Sequence, residues 1–140
     1  TLYDAKVKQP IWSRSYLAPS QIWGDTKHVM PLYLLSQILG GGQTSVLYQS
    51  LVVKRKLATA VDTSYNALLR GPAEFGITII PAEGVSLQTL EQAVEEELAV
   101  IIATKPGAAV LTRAKTLLKA EIIYARDGLQ NIATIFGTLR

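Results

Sequence analysis

Two stretches, LATAVDTSY at residues 57–65 and EFGITIIP at residues 74–81, decide the fold of this chain. The second stretch alternates so that Phe75, Ile77 and Ile79 share one face of a predicted strand. By the same period of two, the first stretch places residues 57, 59, 61, 63 and 65 on one face. The intervening Arg70-Gly71-Pro72 is a turn signal. We therefore expect two strands that pair as a hairpin.

The segments around this hairpin predict a further strand and several helices. Residues 11–18 (IWSRSYLA) again alternate with a period of two. Helices are expected from Asp25 or Thr26 to the glycines at 40–42, from Thr44 or Ser45 to the basic residues at 54–56, and from Ser86 to residue 104. A long helical pattern follows from Ala108, with Gly128 as a kink. This order predicts an α+β fold, mainly an antiparallel sheet with helices packed on one face, in a single domain over residues 1–140.

Composition excludes several classes of function. The 140 residues include 14 Lys and Arg against 11 Asp and Glu, so the net charge of +3 is too small and too dispersed for nucleic-acid binding. No apolar run is long enough to span a membrane. The absence of Cys excludes disulfides and thiol chemistry, and the single His28 excludes any metal site that needs two histidines. We interpret His28 as a partly solvated surface residue.

Three polar motifs could suggest a site, and each has a simpler interpretation. Gly40-Gly41-Gly42 lacks the preceding strand and following Lys of a phosphate loop, so a tight helix–helix connection is favoured. Glu95-Glu96-Glu97 fan around a helix and cannot converge on one metal ion, so we expect a solvated polar face. The basic cluster Val53-Lys54-Arg55-Lys56 suits a helix C-terminus better than a phosphate or peptide-carboxylate site, although both kinds of site stay open.

The ordered motifs nevertheless resemble a known family. They are SRSYLAPS at residues 13–20, ILGGG at 38–42, T-S-x-L-Y-Q-x-L-V-V-x-x-x-L-A at 44–58, P-x-x-G-V-S-L-x-x-L-E at 81–91, RAK at 113–115 and YARD at 124–127. Together they resemble the second, C-terminal lobe of the pitrilysin/insulinase-type zinc peptidases, which include mitochondrial processing peptidases and bacterial relatives. The resemblance covers nearly the whole chain in the correct order. It implies that this chain is a C-terminal lobe cut from a longer peptidase-like protein.

The resemblance also implies where chemistry would lie. In that family zinc is held in the first lobe by an inverted H-x-x-E-H helix and a distal Glu, none of which occurs here. The family's partner lobe offers an Arg and a Tyr to the substrate, and the matching positions here are Val52 and Thr59. Because both depart from the pattern, we expect no catalytic or metal-binding residue in this chain. Val52 should pack beside Leu51, and Thr59 should lie in the row of Leu57 and Val61.

The resulting hypothesis is a non-catalytic structural lobe of a bacterial-type zinc metallopeptidase, whose lobes enclose a chamber for peptide substrate. The alternative is a peptidase-like scaffold or binding subunit that has lost activity. Expected partners are a zinc-bearing N-terminal lobe, a partner subunit and peptide substrate, with self-association of the isolated lobe. Trp12, Tyr16 and Trp23 are the candidates for lobe contact. The compartment would be the bacterial periplasm or cytoplasm, with the periplasm favoured by the resemblance.

Overall fold

A computed structural model describes residues 10–127 of the chain. Its sheet has three strands, β1 (Trp12–Ala18), β2 (Ala58–Tyr65) and β3 (Ala73–Pro81). The spatial order is β1-β3-β2, and β3 pairs antiparallel with both neighbours. The expected hairpin of β2 and β3 is confirmed, and so is the α+β class.

β3 shows why helices cover only one face of this sheet. Its residues alternate strictly, and those at 73, 75, 77, 79 and 81 are buried. The predicted shared face of Phe75, Ile77 and Ile79 is therefore confirmed. These side chains pack with Leu47, Leu51, Leu90 and Val94 from the helical layer in one core cluster, which removes apolar surface from water.

The predicted row of β2 is wrong at its start. A register shift between Ala58 and Ala60 inserts one extra residue opposite β3, which is the signature of a β-bulge. The extra residue reverses the alternation, so Ala58 is buried and Thr59 is exposed. Beyond the bulge, Val61 and Tyr65 face the core as predicted.

The first helix, α1 (Val29–Gly40), follows a short 3-10 turn at Thr26–His28. The Lys27 backbone N–H donates to Oδ1 of Asp25 at 3.3 Å, so Asp25 caps this entry as expected. At the other end, a Cβ added at Gly40 would lie 2.7 Å from the backbone N of Thr63. Gly42 has φ +105, which a glycine adopts without strain. A tight connection thus explains this glycine run.

The next helical segment differs from its prediction. It is a π-helix, Tyr48–Lys54, and the predicted cap Ser45 has a buried hydroxyl without a hydrogen-bond partner. The Nε2 of Gln49 donates to the Gln43 carbonyl at 2.7 Å, which ties the helix to the preceding loop without capping a backbone N–H. Leu51 is fully buried as the apolar pattern predicts.

Two longer helices complete the described residues, α2 (Leu87–Thr104) and α3 (Ala108–Asp127). Ser86 Oγ accepts from the Thr89 backbone N–H at 3.1 Å, which confirms the predicted cap of α2. α3 packs against α1. The predicted kink at Gly128 and the helical pattern beyond it lie outside the described residues. Within residues 10–127, no helix has the length and apolarity to cross a bilayer.

Candidate functional site

His28 lies on the surface, as the sequence predicts. Its Nε2 is 3.6 Å from Oδ2 of Asp25, and its side chain is 56% exposed. The Lys27 ammonium lies 2.7 Å from the same oxygen, and its hydrogen bond lowers the pKa of Asp25. Among the side chains that the structure describes, at residues 10–120 and 123, no three His, Asp or Glu are close enough to hold a metal ion. The described residues therefore do not fit a zinc site.

The three consecutive glutamates of α2 form ion pairs with two different arginines. Glu95 pairs with Arg14 of β1, which also lies 2.8 Å from Glu91. The hydrogen bond to Glu95 raises the pKa of the Arg14 guanidinium. Glu96 and Glu97 instead lie 2.9 and 3.5 Å from Arg55. The carboxylates are partly exposed as expected. They also link α2 by ion pairs to β1 and to the end of the π-helix, which the sequence did not indicate.

The three cations at the end of the π-helix, Lys54, Arg55 and Lys56, differ in whether they form ion pairs. Arg55 is held by the two glutamates of α2, whereas Lys54 and Lys56 make no ion pair with any residue in the described range. Lys54 lines a surface hollow of about 420 Å³, which we call the hollow. The other lining residues are Thr44, Val46, Gln49, Ser50, Arg55 and Glu97.

The two family positions for substrate contact lie in different environments. Val52 is half-buried and packs against the core cluster, next to the fully buried Leu51. Thr59 is exposed by the bulge, and its hydroxyl donates to the Ile80 carbonyl at 3.3 Å. The expected placement of Val52 is thus confirmed, and that of Thr59 is wrong.

The three aromatic candidates for lobe contact separate by exposure. Trp12 is only 8% exposed and belongs to the core of this domain, with the Arg14 guanidinium 5.2 Å from its ring centroid. Its burial leaves it little surface for a partner, because β1 faces the helices at this position. Tyr16 and Trp23 remain 44% and 42% exposed. They stay candidates for such a contact.

An apolar groove of about 680 Å³ opens between α1, α2 and the end of β1. Its mouth includes exposed Tyr16, Leu17 and Ile102. Its walls include Leu35, Leu98 and residues deeper in the core. The helical periodicity predicts that these leucines face inward, but it does not show that α1 and α2 diverge at this point.

The face of the sheet away from the helices is open and mostly polar. Its exposed side chains, which define the open face, are Ser13, Ser15, Leu17, Asp62, Ser64, Glu74 and Thr78. At its centre the register places Gly76 between Ser15 and Ser64, and a Cβ there would lie 2.8 Å from the Ser64 hydroxyl. The small central residue keeps this surface flat and hydrophilic.

A family model described as "Peptidase M16 inactive domain" matches residues 1–118. Among curated proteins, none matches this sequence. A protease from Helicobacter pylori has a similar structure, with a TM-score of 0.84, 21% identity, and coverage of 96% of this chain and 32% of that one. A proposed zinc protease from Bordetella pertussis Tohama I has a TM-score of 0.75 and 19% identity. That match covers 92% of this chain and 69% of the other one.

A third solved structure is the peptidase M16 inactive domain from Pseudomonas fluorescens. It gives a TM-score of 0.67 at 20% identity, with coverage of 91% of this chain and 29% of that one. At these identities the likenesses establish the fold. The chain spans about a third of the Helicobacter pylori protein.

Proposed function

Since the chain belongs to the family of peptidase M16 inactive domains, we propose that it serves a longer zinc metallopeptidase as the non-catalytic lobe that walls its substrate chamber. Zinc and peptide hydrolysis belong to another lobe of that protein in this proposal. The residues available to bind zinc support this assignment. The chain has one His and no Cys, whereas catalytic zinc takes three protein ligands. We expect this chain alone to retain no zinc after dialysis and to cleave no peptide.

The observation that carries the proposal is the one-sided cover of the sheet. All the buried side chains of β3 face the helices, whereas the open face carries mainly hydroxyls and two carboxylates in solvent, with Leu17 at its edge. Exposed hydroxyls offer hydrogen bonds to any peptide main chain without requiring a particular side chain. A wall of this kind suits a chamber that holds peptides of varied sequence.

The partners follow from the same proposal. A zinc-bearing lobe would contact this one where apolar residues remain exposed, and Tyr16 and Trp23 are the candidates. Without that lobe, the same surface would favour self-association of the isolated chain. The periplasmic or cytoplasmic location, with the periplasm favoured by the resemblance, stays a prediction.

The experiment uses the parent protein and a bulky residue on the open face. Thr78→Trp places an indole at the exposed centre of β3, and Thr116→Trp is a control on the exposed side of α3. We expect Thr78→Trp to change kcat/KM for peptide hydrolysis by threefold or more at an unchanged melting temperature. The control should change neither quantity.

Two results would contradict the proposal in different ways. Equal kcat/KM for both tryptophan variants would show that the open face does not meet substrate. A parent that lacks H-x-x-E-H and hydrolyses no peptide with zinc supplied would favour the alternative, an inactive scaffold or binding subunit.

A further inference from the structure

A purely structural lobe does not explain the hollow lined by Lys54, or the exposed Lys56 two residues further along the chain. We propose that Lys54 and Lys56 form an anion-binding element for carboxylate groups of a peptide. The inference rests on the proposed function, because it assumes that this lobe meets peptides, but the hollow lies between the π-helix and α2 and is a different surface from the open face. It adds a substrate preference, namely peptides with acidic side chains.

Charge is the first argument. Three consecutive cations end the π-helix, and only Arg55 is neutralised, by the glutamates at 2.9 and 3.5 Å. Lys54 and Lys56 are exposed and have no carboxylate within ion-pair distance in the described part of the chain. The three cations face only two carboxylates, Glu96 and Glu97, so the cluster keeps a net charge of +1. The local field thus favours an incoming anion.

The shape and donors of the hollow are the second argument. Its volume of about 420 Å³ admits a carboxylate side chain, and Lys54 stands on its wall. Thr44 and Ser50, which both carry hydroxyls, line the same hollow. An ammonium and two hydroxyls provide the donors that a carboxylate accepts from.

The backbone is the third argument. Lys56 has φ +53, a conformation that costs an L-residue free energy and that glycine adopts freely. The β-bulge at Ala58 and Ala60 follows within two residues. Strained residues and bulges concentrate where a side chain must be aimed outward for binding. Lys56 thus carries a charged side chain at a position where the backbone favours glycine.

Fluorescence anisotropy of the 140-residue chain tests this element without the parent enzyme. The probes are fluorescein-labelled peptides of alternating Glu and Ala, of Gln and Ala, and of Lys and Ala. We expect the Glu peptide to bind at least tenfold more tightly than the Gln peptide at low salt, and to lose this advantage in 0.5 M NaCl. Lys54→Gln and Lys56→Gln should each weaken its binding about threefold.

The chain offers a matched control, because Lys105 is a second exposed lysine with positive φ, +56. Lys105→Gln should leave the affinity for the Glu peptide unchanged. Lys56→Gly should raise the melting temperature, since the strain is relieved, and lower the affinity at the same time. Lys105→Gly should affect the melting temperature alone.

Three outcomes would overturn the inference. They are equal binding of the Glu and Gln peptides, an equal loss of affinity in Lys105→Gln, and full affinity in Lys56→Gly. None of them touches the test on the open face, which measures hydrolysis by the parent protein. Failure of the anion-binding element can therefore be told apart from failure of the proposed function.

Discussion

Gly40→Ala should destabilise the protein even though alanine is the better helix former. The added Cβ would lie 2.6 Å from both Cγ2 and Oγ1 of Thr63 and 2.7 Å from its backbone N. Carbon atoms prefer a separation of roughly 3.5–4.0 Å, so α1 must move away by about 1 Å. The hydroxyl can rotate away from the new methyl group, but the backbone nitrogen of Thr63 is fixed by the pairing of β2 with β3 and cannot.

The magnitude follows from three terms. Overpacking costs about 1–3 kcal/mol. The shift also strains the hydrogen bond in which Thr63 Oγ1 donates to the Ser36 carbonyl at 2.7 Å, worth about 1 kcal/mol. The higher helix propensity of alanine relative to glycine offsets at most about 1 kcal/mol of this loss. The net loss should be about 1–3 kcal/mol of unfolding free energy.

The assay is urea unfolding, with Gly71→Ala as the matched control. Gly71 lies in the turn between β2 and β3, where a Cβ meets no heavy atom within 4 Å and φ is not in the positive range, so the control should gain about 0.4–1 kcal/mol from reduced unfolded-state entropy. If both variants shift stability in the same direction, the close approach of α1 to β2 is not what requires glycine at position 40.

Three further predictions concern single side chains. Val52→Ala should cost about 1 kcal/mol, because half-buried methyl groups are lost, and should leave kcat of the parent unchanged; a hundredfold fall without loss of stability would mean that this position reaches substrate. Burial raises the pKa of Tyr65, so the stability that the neutral phenol contributes is complete below about pH 10 and is lost as pH rises through the folded-state pKa. Between pH 8 and 11 the melting temperature should therefore fall less steeply for Tyr65→Phe, although this variant also loses the 2.6 Å hydrogen bond to the Pro19 carbonyl. Arg14→Gln should lower stability by about 1 kcal/mol at low salt and less in 0.5 M NaCl, since Glu95 is half-exposed; a loss that is independent of salt would point to packing on Trp12 instead.

Local patterns were sufficient for the elements whose geometry is set within a few residues. The alternation of β3 predicts its buried face because successive side chains of a strand must point to opposite sides. Ser86 predicts the start of α2 because its hydroxyl satisfies a free N–H three residues later. The resemblance of ordered motifs also predicted the family, which the family model confirms.

The candidate site was less predictable, because it depends on contacts between distant segments. The exposure of Thr59 follows from one extra residue opposite β3, and nothing in the alternation of residues 57–65 marks that bulge. Which arginine each glutamate pairs with depends on residues far away in the sequence. Arg14 lies 81 residues from Glu95, and Arg55 lies 41 residues from Glu96.

By itself, the sequence determined the fold class, the hairpin, the caps at Asp25 and Ser86, and the absence of ligands for a zinc site built on histidine or cysteine. Composition and local periodicity suffice for these, because each depends on residue type or on neighbours within one turn or strand. The tertiary structure alone decided which lysines remain unpaired, where α1 and α2 part to form the groove, and that Thr59 faces solvent. Those features depend on register and on the distance between packed elements, and a shift of one residue or about 1 Å in either would reverse them.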